Sequence, residues 1–105
     1  MKKRKGNRFK SARQVGYNLE RLCVNFYREQ GAFAIRVGSQ TKEYQKRAID
    51  VIAYHKGVFY IIQCKRRHDY LRKEEKENLK MAATQFGAIP LLCWRDKGLQ
   101  FEIIK

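Results

Sequence analysis

Two runs of β-favouring residues, Ala48 to Tyr54 and Val58 to Lys65, flank His55-Lys56-Gly57, and no other feature of the sequence restricts the fold so tightly. A two-residue Lys56-Gly57 loop joins them as an antiparallel hairpin, because tight hairpin turns need positive φ and glycine adopts it at no steric cost. With that turn, His55 faces Val58, and following both strands away from it sets Asp50 opposite Gln63. Alternation puts Ile49, Val51, Ala53, Tyr60 and Ile62 on one face, and Ile52, Phe59 and Ile61 on the other. Both faces are apolar, so both need cover. The expected class is α/β, a mixed β-sheet flanked by helices.

The rest of the chain supplies the cover. Ser11 and Gln14 stand at capping-box spacing, and Val15, Leu19, Leu22, Cys23 and Phe26 recur on one helical face until Gly31. Glu20 lies at the edge of that stripe. Ala32 to Val37 reads as a short strand, and Gly38 to Arg47 as a polar loop without hydrophobic period. After a basic connection from Arg66 to Tyr70, Glu74, Glu75 and Glu77 precede Leu79, Met81, Ala82, Ala83 and Phe86, with Gly87 closing the run. That is a second helix, its acidic first turn complementing the helix dipole and its glycine taking the left-handed C-terminal position. Structure alone accounts for those glutamates. Ile89 to Trp94 and Leu99 to Ile104 are closing strands, giving the order α-β-β-β-α-β-β.

Charge narrows the partner. The 105 residues hold 24 Lys and Arg against 10 Asp and Glu, a formal +14, and their 44% hydrophobic content excludes a disordered basic tail. Residues 14–105 are expected to form one domain and residues 1–13 a flexible basic arm carrying Lys2, Lys3, Arg4 and Lys5. Cations at this density displace counterions from a phosphate backbone, so nucleic acid is the expected partner. No apolar run approaches the length of a membrane span and no secretory signal pattern opens the sequence, so no membrane partner and a cytoplasmic location are expected. Cys23, Cys64 and Cys93 are far apart in sequence and form no CxxC pair; they read as small buried apolar residues rather than a disulfide framework or a zinc site.

The chemistry concentrates at the end of the hairpin. Asp50 opposite Gln63, with Lys65 two residues further on the same face, brings three polar groups to the end of otherwise apolar strands. An Asp50–Lys65 ion pair at a strand end is the simplest account of them. Asp, a twelve-residue gap and then Gln-x-Lys is similar to the PD-(D/E)xK nuclease signature.

Extended over the chain, the likeness sharpens. Gly16-x-x-x-Glu20-Arg21, Gly31-Ala32-Phe33, Arg36-x-x-Ser39, Ile49-Asp50-Val51-Ile52-Ala53, Ile62-Gln63-Cys64-Lys65 and Phe86-Gly87-Ala88-x-Pro90 occur in the order seen in archaeal-type Holliday junction resolvases. The sequence resembles that family from about Gly16 to Ile104. The resemblance implies a restriction-endonuclease-like fold and a structure-selective endonuclease acting on four-way DNA junctions as a homodimer, with Mg2+, or Mn2+ in its place, and no organic cofactor. It assigns Glu20, Asp50, Gln63 and the Cys64 backbone carbonyl to the metal, and makes Lys65 the residue that activates water or stabilises charge. It places Ser39 with the catalytic group and Arg36 near the cleaved phosphate. Arg21, Arg47, Arg66 and Arg67 read as DNA-backbone contacts. Two positions depart from the signature. Ile49 stands where it has proline, and Gln63 stands for the usual carboxylate, which removes one negative charge from the metal site.

Other accounts stay open at this level. A basic module that binds DNA or RNA without cutting it fits the charge and Gln63. A restriction or repair nuclease would share the site and not the substrate. Glu20 also fits a solvated helix residue or a partner of Arg21 or Arg28. His55 belongs to the turn at the far end of the hairpin; His68 is a distant candidate for a general base.

Overall fold

The computed structural model describes residues 12–37 and 49–105. Helix α1 (Ala12–Glu29) precedes strands β1 (Phe33–Arg36), β2 (Val51–His55) and β3 (Val58–Cys64), a 3-10 turn (His68–Tyr70), helix α2 (Lys73–Phe86), and strands β4 (Ile89–Arg95) and β5 (Leu99–Ile103). This is the expected order. The helix takes in Ala12 and Arg13, two residues of the expected arm. The rest of that arm, with Lys2, Lys3, Arg4, Lys5 and Ser11, the expected capping residue, lies outside the described residues, as do Ser39 and Arg47 of the polar loop.

The strands form one sheet in sequence order, β1-β2-β3-β4-β5. Among the described strands only β3 and β4 run parallel, and α2 is the crossover that parallel neighbours require. The hairpin forms at the predicted residues: Lys56 and Gly57 both take positive φ, 50° and 81°, and His55 pairs with Val58. Gly87 closes α2 in the left-handed conformation, φ 65°.

Among the described residues, each face of the sheet carries one helix. On one side Leu19, Cys23, Val24 and Tyr27 of α1 pack on Ala34, Val51, Ala53, Ile62, Cys64, Leu91 and Cys93. On the other, Leu79, Ala82 and Ala83 of α2 pack on Ile49, Ile61, Leu92 and Ile104. Ile61 and Ile62 are adjacent yet both fully buried, as are Leu91 and Leu92 nearly so, because central strands are covered on both faces. Truncating either isoleucine to alanine would cost about 2–5 kcal/mol. The Arg28 side chain donates to the Ala34 carbonyl at 3.1 Å, tying α1 to the edge strand.

Two details depart from the sequence reading. The buried stripe of α1 is rotated: Leu22 and Phe26 are more than a third exposed, while Val24 and Tyr27 are buried. Tyr27 turns inward against Tyr60, and Phe26 covers the rim beside Phe101, with ring centroids 4.9 Å apart. The second departure is at the start of β2. Ile49 sits with the α2-side core rather than with Val51. The Asp50 amide donates to the Ile62 carbonyl at 2.8 Å, although Val51 is already the partner of Ile62. Two residues thus address one, a β-bulge, and such an insertion inverts the alternation on its far side.

Candidate active site

The bulge determines where Asp50 goes. Regular pairing would hold it opposite Gln63; instead its Oδ2 accepts the Cys64 amide at 2.8 Å, a group that the shortened β2 leaves without a backbone partner. A strand residue points its N–H and C=O to the same side, so the Cys64 carbonyl also faces this edge. Burial dominates the Asp50 carboxyl and pushes it up from 3.8 to about 7. The Cys64 hydrogen bond and Lys65 oppose that rise, whereas Glu20 and Glu75 reinforce it. Asp50 therefore lies between the layers, feeling a carboxylate from each helix.

Gln63 and Lys65 alternate onto the α2 face with Ile61. The expected convergence of Asp50, Gln63 and Lys65 on one face is thus corrected: Asp50 turns to the strand edge. Gln63 is 7% exposed, and its Oε1 is buried without a hydrogen-bond partner among the described residues. Such an orphan costs about 1–3 kcal/mol. Lys65 does not pair with Asp50 either. Its Nζ donates to Glu75 Oε2 at 2.7 Å, while Glu75 Oε1 accepts the Arg72 amide at 3.1 Å and closes the first turn of α2. Burial raises the Glu75 carboxyl, but Lys65 and Arg72 together hold it below its ordinary value. Structure does account for Glu75, yet the same carboxylate also holds Lys65, a role that its place among three helix-initial glutamates conceals. The capping spacing Arg72-x-x-Glu75 is visible in the sequence, and the packing of α2 over β3 is not.

Glu20 pairs with Arg36 across the α1–β1 contact, Oε1 to Nε at 2.9 Å, rather than with Arg21 or Arg28. Burial raises its carboxyl, and Arg36 opposes the rise. Arg36 ends β1 at the level of Val51, so the Glu20–Arg36 pair borders the Asp50 edge. His68 bonds Glu102 of β5 and meets Trp94 edge to face, 4.6 Å between centroids. His55 pairs with Val58 at the other end of the hairpin.

Beyond Lys65 the surface is basic. Arg66, Arg67 and Arg95, with His68, Asp69, Trp94 and Asp96, line a groove of about 580 Å³. Arg66 and Arg95 also wall a second groove, of about 550 Å³, that runs to Asn18, Leu19 and Leu22 of α1 and to Lys97. No motif in the sequence singles out Arg95 and Lys97. Because β4 runs parallel to β3, its C-terminal arginine emerges at the same sheet end as Lys65.

The site fits a divalent cation. It offers a half-buried carboxylate, a second carboxylate repelling it, an amide oxygen without a partner among the described residues and a backbone carbonyl, all hard oxygen donors. Among the described residues no helix is long and apolar enough to cross a membrane.

The chain is similar to known proteins in sequence and in fold. The family model for archaeal Holliday junction resolvase (hjc) matches residues 11–105. The chain is 32% identical over 81 residues to the crossover junction endodeoxyribonuclease Hjc of Sulfolobus acidocaldarius, an alignment covering 73% of this chain and 57% of that protein. It therefore spans little more than half the length of that relative. Among solved structures, Archaeoglobus fulgidus Hjc, a Holliday junction resolvase, superposes with a TM-score of 0.72 over 86% of this chain and 73% of that one, at 23% identity, a likeness of fold. With the match of the family model running over nearly the whole sequence, this chain belongs to the archaeal Holliday junction resolvase family.

Proposed function

We propose that the protein is a metal-dependent endonuclease that cuts four-way DNA junctions in recombination, repair or viral DNA processing in the cytoplasm, with residues 14–105 as a single nuclease domain. The observation that carries this reading is the half-buried Asp50 carboxyl at the sheet edge on the Cys64 amide, with the orphaned Gln63 oxygen and the Glu75-paired Lys65 on the α2 face of the adjoining β3. Two symmetric nicks need two sites, and a chain of 105 residues supplies one, so the active form is a homodimer.

Asp50, Gln63, the Cys64 carbonyl and Glu20 would hold Mg2+, or Mn2+ in its place, which when bound supplies Lewis-acid neutralisation of the scissile phosphate and activation of water. Lys65 brings an ammonium to the phosphate and stabilises the charge that develops on it. Glu75 fixes that ammonium from α2, so its direction does not depend on substrate. Arg36, held by Glu20, borders the same edge. Arg21, Arg66 and Arg67 contact the backbone of branched duplex DNA, with Arg47 and the basic arm completing the path. Ser39 takes its catalytic position from the family resemblance. No organic cofactor enters this chemistry.

Gln63 favours one competing account, a binding module that has lost turnover. Labelled four-way junction and matched duplex, incubated with and without Mg2+ and resolved on a denaturing gel, separate the two. Metal-dependent cleavage of the junction in preference to the duplex supports the nuclease; tight binding with no cleavage in Mg2+ or Mn2+ refutes it.

A further inference from the structure

Cys23, Cys64 and Cys93, dispersed in sequence, meet in the fold. Their three sulfur atoms lie within 4.8 Å of one another, and all three residues are buried, at 0%, 8% and 0% exposure. They arrive on three different elements. Cys64 of β3 and Cys93 of β4 are direct partners in the parallel ladder, and Cys23 of α1 closes over them. The thiols are free rather than joined in a disulfide.

We propose that this triad is a binding site for a soft cation of the Cu(I) class, held in three-coordinate geometry by the three sulfurs. Trigonal ligation with metal–sulfur bonds of about 2.3 Å sets the sulfurs about 4 Å apart, within reach of the observed cluster by shifts of tenths of an ångström. The ligand set selects the ion. Thiolates favour soft metals, and a tetrahedral zinc site would need a fourth donor. Among the described residues, no His, Asp or Glu joins the group. The surrounding shell of Leu19, Val24, Ala34, Val51, Ala53, Ile62 and Leu91 is apolar, with Tyr27 its buried polar-tipped member. Cys64, the one member with residual exposure, marks the way in. Its amide also holds Asp50, so an ion on its sulfur would brace β3 between Gln63 and Lys65. The site is chemically separate from the hard oxygen donors at the sheet edge.

The test is an anaerobic titration of the full, reduced chain with Cu(I) delivered from a competing chelator, followed by the ultraviolet sulfur-to-copper charge-transfer band. These are the chain's only three cysteines, so the band reports this cluster and no other. The band is expected to saturate at one Cu(I) per chain, with no change in oligomeric mass and with a rise in melting temperature. Cys23→Ala and Cys93→Ala should each weaken binding by about tenfold or more. Melting curves in the absence of metal establish that the variants fold. The wild-type titration decides even where they do not: absence of the band at one equivalent, or a band that grows without a break past it, overturns the proposal.

Discussion

Replacing Asp50 by asparagine keeps an acceptor oxygen for the Cys64 amide and removes the ionisable group. In the metal-free protein Asp50 titrates near 7 against 3.8 for an unperturbed carboxyl, chiefly because it is buried. The folded value lies above the unfolded one, so the native chain holds a proton that the unfolded chain has released. The stability tied to that proton is fully present below pH 3.8 and is lost as pH rises through about 7. The shift, 7 − 3.8, is about 3 units, and at about 1.4 kcal/mol each the penalty above pH 8 reaches about 4 kcal/mol. Residual water contact at this part-buried residue reduces it, leaving about 2–4 kcal/mol. Asp50→Asn should therefore be more stable than the wild type by that amount at pH 8 in EDTA, and within about 1 kcal/mol of it at pH 4. Urea unfolding followed by the fluorescence of Trp94, the only tryptophan, measures both. Mg2+ should then stabilise the wild type at pH 8 and leave the variant unchanged, because the variant has lost its chief ligand. Junction cleavage should vanish while DNA affinity stays near or above the wild-type value. A variant less stable than wild type by the same margin at both pH values would refute the reasoning, since Asp50 would then be a structural acceptor and nothing more.

Glu75→Gln keeps the capping acceptor for the Arg72 amide and removes the charge that holds Lys65. It should cost about 1 kcal/mol, a charged hydrogen bond discounted for partial exposure, and lower the melting temperature by roughly 4–8 °C. The loss should be largest above pH 4.5, because the Glu75 carboxyl is held below that value in the folded state and its contribution fades as pH falls through the lowered one; an unchanged melting curve would show the pair to be worthless. Gln63→Glu should tighten Mg2+ binding in a calorimetric titration, since hard cations favour charged oxygens, without necessarily raising turnover. No gain in affinity together with a lower melting temperature would remove Gln63 from the metal site. Deleting residues 1–10 removes six cations, Lys2, Lys3, Arg4, Lys5, Arg8 and Lys10, and should flatten the salt dependence of junction binding by about 0.9 in log K per log salt for each phosphate that the arm neutralises. An unchanged slope would show that the arm does not touch DNA.

The parts of the fold legible in the sequence are those fixed by short-range chemistry. Lys56-Gly57 places the hairpin because a two-residue turn needs positive φ, which Gly57 adopts at no steric cost, and Gly87 ends α2 for the related reason that it accepts φ 65°. The face of α1 is less legible. Leu19, Leu22, Cys23 and Phe26 form one acceptable stripe, and Leu19, Cys23, Val24 and Tyr27 another, shifted by less than a third of a turn. Choosing between them takes knowledge of what lies beneath. Tyr60 and Phe101 receive the Tyr27 ring from two strands distant in sequence.

The candidate site is legible in its members and not in its wiring. The hairpin register brings out Asp50, Gln63 and Lys65, and the family resemblance adds Glu20, but a bulge leaves no mark on the run from Ile49 to Ala53. That one extra residue moves Asp50 from the face of Gln63 and Lys65 to the Cys64 amide and sends Ile49 to the opposite core. The pairing of cations follows from the same shift. With Asp50 turned to the edge, Lys65 meets Glu75 and Arg36 meets Glu20, so each of these cations is held by a carboxylate from a helix rather than from the sheet. Both helix carboxylates press on Asp50 and keep its proton affinity high. In that setting a neutral amide at position 63 has a physical rationale. A carboxylate there would add a further buried negative charge to a cluster already strained by three, at a cost offset only while a cation is bound. In the proposed metal site, Gln63 would thus trade metal affinity for an apo protein that folds without its ion.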